Sequence, residues 1–81
     1  MRIIAEIPHP IFKISVFDMN RKYILKFEKE NLEQTFKISE LDYTVQGLDD
    51  IKKIMDAEFF EAVFKQFESM ETSLKKALKD Y

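Results

Sequence analysis

At 81 residues, with a net charge of −2 and with 46% hydrophobic and 14% aromatic residues, the chain is long enough for one domain and too short for two. This composition supplies a core and so excludes a disordered chain, and the absence of cysteine excludes a disulfide framework, a thiolate zinc site and a thiol nucleophile. Charge is uneven, with seven Lys/Arg against five Asp/Glu in residues 1–38 and six against ten in residues 39–81; that is too little for a dedicated nucleic-acid surface but makes the two ends differ in sign.

The first predicted strand runs from Arg2 to Ile7 and stops at Pro8. Pro8-His9-Pro10 lacks two backbone donors, so pairing cannot continue through it. In Ile11 to Asp18 the apolar Phe12, Ile14 and Val16 alternate with Lys13, Ser15 and Phe17, the period of a strand with one buried face. Asp18-Met19-Asn20-Arg21 is a tight turn with an asparagine available for a left-handed position. Tyr23, Leu25 and Phe27 then alternate with Lys22, Lys26 and Glu28. After a second turn at Glu30-Asn31, Leu32, Gln34, Phe36 and Ile38 alternate with Glu33, Thr35 and Lys37. Links this short cannot hold the crossover of about a dozen residues that parallel pairing needs, which predicts an antiparallel meander.

Ser39 to Gly47 is a polar connection. Asp49 and Asp50 then suit the start of a helix, where the dipole favours negative charge. Leu48, Ile51, Ile54 and Met55 share one face, and Asp56 is a candidate N-cap that breaks the helical segment in two. Beyond it Phe60, Val63, Phe64, Phe67, Met70 or Glu71, Leu74 and Leu78 form an amphipathic stripe, with Glu61–Lys65 and Glu71–Lys75 as supporting pairs. The expected fold is therefore α+β: one domain over residues 1–81, a four-stranded antiparallel meander in 1–38 packed on C-terminal helices in 48–80. Its expected core comprises Ile3 or Ile4, Ile7, Phe12, Ile14, Val16, Tyr23, Leu25, Phe27, Phe36, Ile38, Ile51, Ile54, Phe60, Val63, Phe64 and Phe67.

Three stretches, Met1 to Pro10, Lys22 to Glu28 and Glu33 to Lys37, together resemble short uncharacterised bacterial proteins of about this length. The likeness covers most of the chain and implies no activity, ligand or site. No apolar run is long enough to span a bilayer, and Glu6 interrupts the start before a signal-peptide hydrophobic region could form. The expected location is the cytoplasm.

Nothing in the pattern of residues supplies catalysis. His9 is the only histidine and has no nucleophile or orienting partner at a useful spacing, so it reads as an ordinary loop residue whose removal leaves folding unchanged. One histidine and scattered carboxylates make no metal-ligand pattern. Gly47 is the only glycine, which rules out a glycine-rich phosphate loop. Asp49 and Asp50 are neighbours on a helix and point about 100° apart rather than into one site. No cofactor and no small-molecule ligand is implied, and the chain is expected not to be an enzyme.

Two binding surfaces follow instead. A helix over residues 57–80 is about 36 Å long, whereas strands of seven or eight residues reach only about 25 Å. Met70, Leu74, Leu78 and Tyr81 then extend past the sheet, the mark of a protein interface in a homodimer. Antiparallel pairing of two such helices would bring Glu68 and Glu71 of one chain toward Lys75, Lys76 and Lys79 of the other. The alternative is a weak single-stranded nucleic-acid surface on the open sheet face, formed by Lys13, Phe17, Lys22, Lys26 and Lys37, since basic residues beside an aromatic can hold phosphates and a stacked base.

Overall fold

The computed structural model describes all 81 residues. Four strands, β1 (Arg2–Ile7), β2 (Lys13–Met19), β3 (Lys22–Lys29) and β4 (Leu32–Ser39), are followed by α1 (Gly47–Ile54) and α2 (Ala57–Ala77). The strands form one antiparallel sheet in the order β1-β2-β3-β4. This is the expected α+β meander, and the helical segment breaks at Asp56. There the Asp56 carboxylate accepts from the Phe59 N–H at 2.9 Å, which satisfies one of the free donors at the start of α2. Asn20 and Arg21 both have positive φ, as a tight turn between right-twisted strands requires. In the β3–β4 turn it is Glu30, not Asn31, that takes the left-handed conformation.

The helices cover one face of the sheet. Phe12, Ile14, Val16, Tyr23, Leu25 and Phe27 meet Ile51, Met55, Val63 and Phe67 in a single buried cluster. Phe27 is at its centre, with the rings of Phe12, Phe36, Phe59 and Phe60 between 5.8 and 6.3 Å away. Two hydrogen bonds tie helices to strands: the Gly47 N–H donates to the Tyr23 hydroxyl at 3.0 Å, and the Gln34 amide donates to the Val63 carbonyl at 2.9 Å.

Several expectations need correction. Met55, not Ile54, enters the core, because α1 ends at Ile54 and Met55 leaves helical geometry (φ −82°, ψ 64°). Of the pair Ile3 and Ile4, Ile4 packs on the core and Ile3 is exposed; a bulge between Ile3 and Ala5 interrupts the alternation of β1. Phe36, Ile38, Phe60 and Phe64 pack against the core but are only half-buried. Ser15 and Ile24 belong to the face away from the helices, yet both are buried. They lie on the two central strands, Ser15 between Glu6 and Lys26 and Ile24 between Phe17 and Lys37, where longer neighbours close over a shorter side chain.

His9 also does more than expected. Its Nδ1 accepts from the N–H groups of Ile11 (3.1 Å) and Phe12 (3.3 Å), and its ring stacks on Phe12 with centroids 4.8 Å apart. The imidazole thus supplies an acceptor to two N–H groups that no neighbouring strand pairs.

Candidate functional site

No group of three or more His, Cys, Asp or Glu side chains is placed to hold a metal ion. No helix is long and apolar enough to cross a membrane. What remains is a set of apolar side chains that the chain does not cover and a charged sheet face.

The distal part of α2 is the first. The molecule measures 46 × 25 × 21 Å, because α2 runs on past the sheet. Leu74 and Leu78 are 46% and 49% exposed, and Tyr81 is fully exposed. Met70 differs from expectation: it packs against the core and is half-buried, since it reaches back over the start of β4. The helix also ends sooner than expected, at Ala77, so Tyr81 lies beyond it rather than on its stripe. Beside these residues runs a shallow groove between Leu32 and α2, lined by Met70, Leu74 and Ala77 together with Ser69 and Ser73.

Glu71 and Lys75 flank the stripe and bind each other at 2.7 Å. The Lys75 ammonium, by its hydrogen bond and then by its charge, holds the Glu71 carboxyl below the ordinary glutamate range. Glu71 raises Lys75 in the same two ways.

The second apolar surface was not read from the sequence. At the other end of β4, Leu25, Phe36, Ile38 and Phe59 floor an open apolar pocket of about 340 Å³ whose rim carries Tyr43 and Ile54. Tyr43 is 64% exposed and Ile54 36%. Leu41, Tyr43 and Val45, alternating inside the otherwise polar connection, are the signal that could have revealed it.

On the open sheet face, the register sets Phe17 beside Ile24 and Ile24 beside Lys37, with Lys26 between Ser15 and Thr35 and Lys13 opposite Glu28. Lys22 is at the far end, opposite Met19 and Ser39. Lys26 is bound by Glu33 at 3.3 Å and Glu28 at 3.8 Å. Phe17 is half-buried. Carboxylates thus stand beside Lys13 and Lys26, whereas Lys22 and Lys37 have none next to them in the sheet.

No protein-family model, no curated protein and no solved structure matches the chain. Its own surface carries the functional reading.

Proposed function

We propose that this chain is a small non-catalytic protein-interaction module, acting in the cytoplasm, that self-associates through the distal part of α2. The observation that supports the reading is the pair of half-exposed leucines, Leu74 and Leu78, continuing a helical stripe whose earlier members Val63 and Phe67 are buried. An apolar surface of this kind on so small a domain is most simply explained by a partner that covers it. A two-fold dimer is the simplest closed arrangement. No cofactor and no small ligand enters this reading.

The nucleic-acid alternative has less support. Glu28 and Glu33 offset part of the positive charge on that face, Lys26 being paired with both, which weakens phosphate binding, and the single aromatic on that face is half-buried.

Sedimentation velocity at tens of micromolar tests the proposal. The parent chain sediments as a dimer, and Leu74→Glu/Leu78→Glu, folded by circular dichroism, sediments as a monomer. A monomeric parent overturns the reading.

A further inference from the structure

The helix tip alone is too small an interface. Two half-exposed leucines and a tyrosine offer roughly 200–400 Å² per chain, against about 800 Å² per partner in a standard specific complex. If the chain self-associates as proposed above, the remaining area has to come from an adjoining surface, and the sheet edge beside the groove is the one the fold provides.

The two edges of the sheet differ. β1 carries a bulge between Ile3 and Ala5 and runs into Pro8, both of which discourage pairing with another strand. β4 has neither: its register with β3 is regular from Leu32 to Ser39. The Glu40 N–H donates to the Arg21 carbonyl, which makes Arg21/Glu40 a hydrogen-bonded pair. Such pairs alternate in an antiparallel ladder, so Ile38, Phe36 and Gln34 bond to β3. The N–H and C=O groups of Glu33, Thr35 and Lys37 therefore point out of the sheet, and none of them bonds to a turn, loop or helix.

We propose that β4 pairs antiparallel with β4 of a second copy, about a two-fold axis through Thr35, so that one sheet continues through both chains. The sequence of the strand selects this register. Outward-facing residues must lie opposite one another, which permits only shifts of two residues. Centred on Thr35, the pairing sets Glu33 of each copy against Lys37 of the other and Thr35 against its own counterpart. Sliding by two sets Glu33 against Thr35 or against Ser39, and both charge pairs are lost. Lys37 has no carboxylate partner within its own chain. Opposite charges and paired threonines directly across two strands are both favourable.

The same register closes the apolar surfaces. Side chains keep their faces, so Leu32 of one copy neighbours Ile38 of the other on the helix-covered side. Leu32 belongs to the groove with Met70 and Leu74, and Ile38 to the pocket rimmed by Tyr43 and Ile54. α2 runs antiparallel to β4, with Phe59 over Phe36 (centroids 5.3 Å), Val63 at Gln34 and Leu74 beside Leu32. Leu74 of each copy is thereby carried toward the Tyr43 and Ile54 rim of its partner. One two-fold axis joins two apolar surfaces that lie at opposite ends of a single strand.

Charge exchange and cross-linking test this arrangement, with the protein folded in every case by circular dichroism. Lys37→Glu, which sets like charges opposite each other twice per dimer, raises the dimer Kd by on the order of tenfold or more; Glu33→Lys/Lys37→Glu restores it. Thr35→Cys, introduced into a chain without cysteine, is joined to its counterpart by a short thiol cross-linker at a Cα separation of about 5.5 Å, while Lys13→Cys on β2 is not. A parent dimer that ignores both charge variants, and whose Thr35→Cys form stays uncoupled, yet which dissociates in Leu74→Glu/Leu78→Glu, overturns the edge pairing and keeps the helix interface. A monomeric parent removes both.

Discussion

Phe27→Ala is the substitution that tests which face of the sheet is the core. Phe27 is fully buried and is surrounded by four aromatic rings, so truncation removes its own transfer energy and leaves a cavity that rigid neighbours cannot fill. Such changes cost about 3–5 kcal/mol. A domain of this length has about 4–12 kcal/mol in all, so the variant loses a substantial fraction of its stability. Phe17→Ala is the control. It lies one strand away on the opposite face, half-buried, and its loss costs about 1 kcal/mol. Urea unfolding measures both, at one fixed protein concentration because the proposed self-association would add to apparent stability, with the slope against denaturant unchanged. Should Phe27→Ala prove too unstable to purify, Phe27→Leu retains most of the volume and costs about 1–2 kcal/mol. If the Phe27 variants cost no more than Phe17→Ala, the faces are reversed. A one-residue slip in register does that, because it moves every side chain to the other side.

His9→Ala lowers stability by about 1–2 kcal/mol, because it removes the acceptor for two backbone donors and a ring stacked on Phe12; sedimentation is unchanged, and a loss below about 0.5 kcal/mol would show that the turn does not depend on the imidazole. Fluorescence anisotropy with short single-stranded oligonucleotides detects no binding by the parent at about 0.15 M salt. Micromolar affinity that disappears when Lys13, Lys22, Lys26 and Lys37 are replaced by glutamine would instead establish the open sheet face as a nucleic-acid surface.

The amino-acid sequence determined the architecture, because the features that specify it are local. The period of two in Phe12 to Phe17, Tyr23 to Glu28 and Leu32 to Ile38 marks strands, links too short for a crossover make them antiparallel, and Asp56 followed by an apolar helical stripe sets where α2 begins. Leu74 and Leu78 were legible as uncovered for the same reason, since a helix of known rise must outrun strands of known length. The tertiary structure decided whatever depends on neighbours distant in sequence. Ile24 and Ser15 are buried because of the strands beside them, and Met55 replaces Ile54 because the chain turns between the helices. Met70 is drawn onto the core by Leu32. The pocket under Tyr43 and Ile54 exists only where the 40–46 connection folds back across Phe36 and Ile38. The role of β4 is of the same kind: the spacing of Glu33, Thr35 and Lys37 is plain in the sequence, but that their main-chain groups face outward follows from the hydrogen-bond phase set at Arg21 and Glu40. A strand becomes an edge only when the rest of the sheet is built on its other side.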